Sequence, residues 1–400
     1  MDTIPLIKSI QRTPIEAPKP KIMVVGLGGG GCNAVNRMIE HGLEGVTFIA
    51  CNTDHQALMS SLAEITLQLG PKVTRGLGAG GIPSVGEAAA EESFQALAKV
   101  LDGADMVFLT AGMGGGTGTG AIPVAARVSK TIKALTIAVV TTPFSFEMGR
   151  RQKNAAIGLQ KLRHYTDTLI TVPNDRLLEV APADLPLEMA FKLADDVLRQ
   201  GVSGISELLT QTGLLNVDFA HIRHVMSLGG GSLMSVGTGE GDGKAQKALE
   251  AALHHPLLDE IHLKDAAGII ANFSGGHDLT FSEVTETLTQ LHEEAGPDVE
   301  IIPGVINDPN LADRAQVILI VTGLGALPID QVIPGAEKYL SEMEPALAHT
   351  ARPKADIREP HREKQQNPES DGAYAFSSPH VRMTSADLDV PAFLRKRLKG

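Results

Sequence analysis

Two glycine-dense stretches hold the residues best suited to chemistry. The denser is residues 112–120, GMGGGTGTG. Ahead of it, residues 106–110 form a short apolar run suited to a buried strand, and behind it AIPVAARVSK reads as a helix. A strand, a side-chain-poor loop and a helix start make a physical recipe for holding phosphate. Backbone N–H groups come close to the anion, and the helix N-terminus adds partial positive charge. No Gly-Lys-Ser/Thr follows, so this is not a Walker loop. The plainer reading is a tight turn or a linker; structured segments tight on both sides weigh against it.

The second stretch follows a parallel-type strand, KIMVV at residues 21–25, and reads GLGGGGCNAVNRM. Its Gly26, Gly28 and Gly31 satisfy the dinucleotide fingerprint G-x-G-x-x-G. Asp54, after a strand at residues 46–50, is placed to take a ribose hydroxyl, so a nicotinamide enzyme is a competing reading. Two converging phosphate loops suit a nucleoside triphosphate better. A third loop holds Gly76, Gly78, Gly80 and Gly81. Alone it reads as a polar connector. Three such loops on successive βα units fall at one edge of a parallel sheet, where ligands bind.

Positioning these loops takes a run of alternating elements. Further strands are expected at residues 135–140 and 168–172, and one helix over residues 87–101. A long helix covers about residues 186–210 and places Phe191 and Asp195 four apart on one face. By spacing alone, Phe191 reads equally as core and Asp195 as solvated. Glu147 and Arg151, also four apart, read as a surface ion pair worth a few tenths of a kcal/mol, or as site residues. Asp218 and His221 share one side of a helical turn, with Asp218 also fit to be an N-cap. Beyond residue 226 come a strand within 229–243, a helix at 244–254, a strand at 267–274, a helix at 281–295, and strands at 299–305 and 315–322. That pattern is a second, smaller α+β domain with a mixed sheet.

The composition narrows the class. Apolar residues are 43% of the chain, with 4% aromatic and no Trp, so aliphatic residues fill the core. Lys+Arg 35 against Asp+Glu 47 leaves a net charge of −12, which argues against nucleic acid as a partner. Cys32 and Cys51 make no disulfide framework. No signal-peptide core and no membrane-length apolar run stand out, so a cytoplasmic location without direct membrane insertion is expected. The expected division is a flexible arm (1–19), a nucleotide domain (20–185), a central helix (186–213), a second domain (214–325), a disordered linker (326–386) and a docking peptide (387–400). The linker is rich in Pro, Glu, Arg, His, Ser and Gln, a composition that cannot offset ordering entropy.

The ordered chain resembles the FtsZ family, the bacterial tubulin-like division GTPases. The resemblance rests on GLGGGGCNAVNRM, NTD, TRGLGAG, GADMVFLTAGMGGGTGTGAIPV, PFSFE, VPNDRLLE and NVDFA in order, and on DVPAFLRK near the C-terminus. It implies an α/β, tubulin/FtsZ-like fold: a Rossmann-like GTP-binding domain with a parallel sheet, a central helix and a smaller α+β C-terminal domain with a mixed sheet. It also implies a GTPase that polymerises head to tail and forms the cytokinetic ring at mid-cell. By resemblance, Gly29, Gly30, Gly31, Cys32 and Asn33 cradle phosphates, with Gly116, Thr117 and Gly118. Glu147 and Arg151 face the ribose and phosphates, and Asn174 the sugar. Phe191 stacks on guanine, and Asp195 accepts from its N1–H and N2–H₂. GTP or GDP is the ligand, with Mg²⁺ held mainly by its phosphates and no metal ligands from the protein. Asp218 and its neighbour at 221 serve catalysis for the next subunit, and residues 389–397 dock on an FtsA-type membrane tether.

The chain departs from the family pattern in three places. His221 stands for the second aspartate of N-x-D-x-x-D, Ile82 for an asparagine in the third glycine loop, and Met148-Gly149 for Gly-Lys/Arg. A neutral imidazole has one acceptor nitrogen and no negative charge. The alternative expectation is therefore an FtsZ-like filament or regulatory protein that binds GTP and hydrolyses it weakly.

Overall fold

The computed structural model describes residues 19–147, 149–182, 184–211, 215, 217–229, 231–258, 261–325 and five positions between 332 and 339. The docking peptide and nearly all of the linker and of the arm expected from the sequence lie outside these residues. Ten strands alternate with helices. They are β1 (Ile22–Leu27), β2 (Val46–Asn52), β3 (Ile65–Gln68), β4 (Met106–Gly112), β5 (Leu135–Thr142), β6 (Thr168–Pro173), β7 (Gly231–Glu240), β8 (Gly268–Gly275), β9 (Glu300–Asn307) and β10 (Arg314–Thr322). The helices are α1 (Gly28–Glu40), α2 (His55–Met59), α3 (Pro83–Glu92), α4 (Phe94–Val100), α5 (Thr117–Thr131), α6 (Arg150–Leu162), α7 (Asn174–Glu179), α8 (Leu187–Thr210), α9 (Phe219–Met226), α10 (Lys244–Leu253) and α11 (Phe281–Ala295).

The sheet order is β3-β2-β1-β4-β5-β6-β7-β10-β8-β9. From β3 to β7 every pairing is parallel. Strand β10 then runs antiparallel to β7 and β8, and β8 pairs parallel with β9, so the second half is mixed as expected. Among the described residues, the ladder between β6 and β7 pairs Leu169 with Gly231 and Ile170 with Ser232.

Strands β1, β2, β4, β5 and β6 are apolar on both faces because helices cover both faces, while the edge strand β3 packs Ile65 and Leu67 on one face. Strand β1 divides itself by the period of two. Met23, Val25 and Leu27 pack with Leu97, Ile122 and Ala155 of α4, α5 and α6 on one side. Ile22 and Val24 pack with Val35 and Met38 of α1 and Val202 of α8 on the other. Helix α8 buries Ala190, Ala194, Val197, Leu198, Val202, Ile205 and Leu208, spaced by three and four. Its cluster also takes in Ile170 of β6 and Ile270, Ile302 and Ile318 of the second half. One helix thus shares its core with both halves.

One expectation is corrected. Residues 87–101 do not form a single helix; α3 ends at Glu92 and α4 begins at Phe94. Ser93 is the break, with φ −96° and ψ 10° and its Oγ accepting the Gly70 N–H at 2.9 Å. The apolar period runs through the break, so the sequence pattern hides it. A short helix α7, not assigned from the sequence, follows Pro173. Among the described residues no helix is long and apolar enough to cross a membrane.

Candidate nucleotide site

The strand order reverses direction between β1 and β4. In an open parallel sheet, the two connections leaving such a point run to opposite faces and leave a crevice at the strand ends. The loops after β1 and β4 are the two glycine-dense stretches, so the topology sets them side by side. Their backbones touch: a Cβ on Gly30 would lie 3.2 Å from the Gly112 nitrogen, and one on Gly118 3.1 Å from the Leu27 carbonyl oxygen. The third loop closes on the second, since a Cβ on Gly116 would lie 2.8 Å from the Ile82 nitrogen. Side-chain bonds hold the arrangement. Thr119 Oγ1 accepts the Gly114 N–H at 2.8 Å, and the Thr53 and Thr117 hydroxyls are 2.6 Å apart. Asn154 Nδ2 donates to the carbonyls of Gly81 and Gly114 at 3.3 and 3.1 Å.

A cleft of about 420 Å³ opens there. Helices α1 and α5 start at its wall, neither with a side-chain cap nor with an acidic residue in the first turn. Their leading N–H groups therefore lack an acidic competitor, which suits an anion. Gly29, Gly30, Asn33, Gly116, Thr117, Gly118, Glu147, Arg151, Asn174, Phe191 and Asp195 all line it. Asn174 Oδ1 is buried without a hydrogen-bond partner among the described residues.

Aromatic rings gather at the Phe191 side of the cleft. Phe191 is 39% exposed. Its edge rests on Phe144 at 5.4 Å and 83°, and Phe144 stacks on Phe146 at 5.0 Å. One turn along α8, Asp195 is largely buried, with Oδ2 3.3 Å from Arg37 Nε. Burial pushes its carboxyl up to about 6, opposed by the Arg37 charge and hydrogen bond. Glu147 ion-pairs with Arg151, and its Oε1 accepts the Phe144 N–H at 2.9 Å.

Four expected residues stand outside the wall. Gly31 packs on the strand beneath, where a Cβ would meet the Thr110 carbonyl oxygen at 2.3 Å. Cys32 turns its thiol away, donating to the Gly26 and Cys51 carbonyls at 3.7 Å. Burial pushes that thiol up to about 12. Whatever these two give a ligand comes from backbone N–H groups. Asp218 and His221 are exposed at the start of α9, away from the cleft. Asp218 is the N-cap there, accepting the Ala220 N–H at 3.2 Å. Ile82, 40% exposed, is the N-cap residue of α3 and does not line the cleft; Met148 lies outside the described residues.

Sequence reasoning missed Arg37, Asn154, Met113, Thr141 and Pro143. Arg37 carried a signal, since it follows Asn33 by four on α1 and so shares its face. Among the described residues no group of three or more His, Cys, Asp or Glu side chains is placed to hold a metal.

Comparison with known proteins agrees with this geometry. Residues 21–182 match the Tubulin/FtsZ family, GTPase domain, and residues 230–325 match the FtsZ family, C-terminal domain. The empty FtsZ dimer of M. jannaschii is 44% identical, with a TM-score of 0.74 over 77% of this chain and 89% of its own. A point mutant of that FtsZ matches at 44% identity and TM-score 0.74, over 76% of this chain and 91% of its own. CetZ2 from Haloferax volcanii, in a GTPγS-bound protofilament, shares the fold at 20% identity and TM-score 0.67, over 81% of this chain and 99% of its own. With both of its matched regions and a close structural relative in agreement, the chain belongs to the FtsZ branch of the tubulin/FtsZ GTPase family.

Proposed function

We propose that this GTPase binds GTP in the cleft between the β1 and β4 loops, assembles head to tail, and completes its hydrolytic site only at the contact between subunits. The observation that carries the reading is the separation of parts. A nucleotide-shaped cleft lies at one edge of the sheet, while Asp218 and His221 are exposed outside it. The M. jannaschii FtsZ dimer and the Haloferax CetZ2 protofilament support self-association.

In this reading the uncapped starts of α1 and α5 take the phosphates through backbone N–H groups. Asn174, with Glu147 and Arg151, takes the sugar side, and Phe191 stacks on the base. Asp195 accepts the N1–H and N2–H₂ of guanine. Adenine lacks that donor pair and leaves a buried carboxylate unsatisfied, which is a physical source of guanine preference. Mg²⁺ bound with the nucleotide would be held mainly by its phosphates. Asp218 of one subunit orients water at the neighbour's γ-phosphate, and His221 offers one acceptor where the family has a second carboxylate. Residues 389–397 dock on an FtsA-type tether and bring filaments to the division site.

The test is GTP hydrolysis measured against protein concentration. A site completed between subunits gives negligible turnover below a critical concentration and a steep rise above it. Turnover per subunit that is constant down to the lowest concentration sinks the proposal. His221 favours a second reading, a filament that assembles on GTP and hydrolyses it slowly. GTP-dependent sedimentation with low turnover in the pellet selects that one.

A further inference from the structure

We propose that Arg37 is the positioning residue for base selection: from α1 it holds the Asp195 carboxylate of α8 as an oriented, acceptor-only group facing the cleft. The proposal rests on the reading that Asp195 meets the base.

The geometry is specific. Arg37 lies one turn beyond Asn33 on α1; Asn33 lines the cleft, and Arg37 reaches it through Asp195. Its Nε is 3.3 Å from Asp195 Oδ2, and the two side chains are 26% and 17% exposed. The neighbouring carboxylate on α8 is not available to Arg37. Asp196 is held by Arg199 Nε at 2.6 Å and Gln200 Nε2 at 2.9 Å. Two adjacent carboxylates are thus shared out between two arginines, one toward the cleft and one along the helix. Of the other charged residues lining the cleft, Glu147 pairs with Arg151. Arg37 is the cation whose charge and hydrogen bond oppose the effect of burial on Asp195.

The chemistry follows from donor counting. An ionised carboxylate accepts at both oxygens, whereas a protonated one carries an O–H donor. A purine edge with two adjacent donors needs the first form. Burial favours the second, pushing Asp195 up to about 6, and Arg37 pulls the other way. Binding through the ionised form is present above that value and lost as pH falls through it. Without Arg37 the loss begins at higher pH.

The experiment uses the full-length protein below its assembly concentration. GTP, ITP and ATP affinities are measured from pH 5.5 to 8.5 for wild type, Arg37→Met, Arg37→Lys and Asp195→Asn. Each unit by which the titration moves up costs about tenfold in affinity at a pH below both midpoints. Arg37→Met is expected to move the GTP midpoint upward, to recover most of its affinity at pH 8.5, and to affect ITP, which lacks the N2 amine, less than GTP. Arg37→Lys restores the charge and returns the midpoint toward wild type. A loss of the same factor at every pH, or no loss, overturns the proposal and leaves Arg37 a packing residue. Asp195→Asn separates the underlying reading. If guanine preference survives that change, Asp195 does not read the base. If preference is lost while Arg37→Met keeps the wild-type pH profile, only the role of Arg37 fails.

Discussion

Gly28 and Gly118 meet backbone to backbone: a Cβ on Gly28 would stand 2.7 Å from the Gly118 nitrogen. The contact joins the loop after β1 to the first turn of α5, across the crevice where the strand order reverses. It leaves no room for a side chain between the starts of α1 and α5. Gly28 is also in the left-handed region, at φ +71°.

Gly28→Ala should therefore fail on two counts, strain and clash. We expect a stability loss on the order of 2 kcal/mol or more, read as a lowered thermal midpoint, with GTP binding lost. Gly29→Ala is the internal contrast. A Cβ there meets nothing within 4 Å, and its φ lies outside the left-handed region. That variant should unfold at the wild-type temperature and lose affinity only through the cleft wall it lines. Equal destabilisation of the two would contradict the close-approach account.

Phe191→Ala removes an exposed ring and not a core one, so unfolding should barely move. Base stacking is worth about 1–3 kcal/mol and is indifferent to base identity. Calorimetric titrations should show GTP and ATP weakened by a similar factor, roughly tenfold. A change in the GTP-to-ATP ratio would assign Phe191 a selective role instead.

His221→Asp should raise GTP turnover in assembled filaments while leaving nucleotide affinity of the free subunit unchanged, since position 221 is exposed outside the cleft. A carboxylate adds a second acceptor and a negative charge at the water. Phosphate release per pelleted subunit is the measurement. Unchanged or lower turnover would remove the ground for reading His221 as a brake on hydrolysis.

Glu207 predicts a pH effect on stability. It faces a second cleft of about 350 Å³, between α8 and the ends of β9 and β10, with Arg199 and Asp308. Burial pushes its carboxyl up to about 7, Asp308 adds to the rise and Arg199 opposes it. The folded state holds this proton more tightly than the unfolded chain does. Stability from this group is thus full below about pH 4.5 and declines as pH rises through 7. Glu207→Gln should match wild type near pH 5 and exceed it at pH 8, by on the order of 1 kcal/mol after solvent screening. Thermal midpoints at the two pH values test it; a gain of equal size at both would point to packing and not titration.

Local chemistry was legible in the chain itself. Glycine loops between a buried run and a helix, the period of α8 and the pairing of Phe191 with Asp195 all depend on residues within a turn or two of one another. Those signals pointed to a phosphate-binding sheet edge, and the resemblance to the FtsZ family added the tubulin-like fold and eleven of the residues that line the cleft. They could not show that Ser93 breaks a continuous apolar period, because its bond to Gly70 joins residues 23 apart. Nor could they show that Cys32 turns its thiol toward Gly26 and Cys51. The largest gap is Arg37, which meets Asp195 across 158 residues of chain. Sequence order records neighbours along the backbone. Only the strand order, with α1 and α8 packed on the same face of the sheet, decides that this cation stands beside that carboxylate.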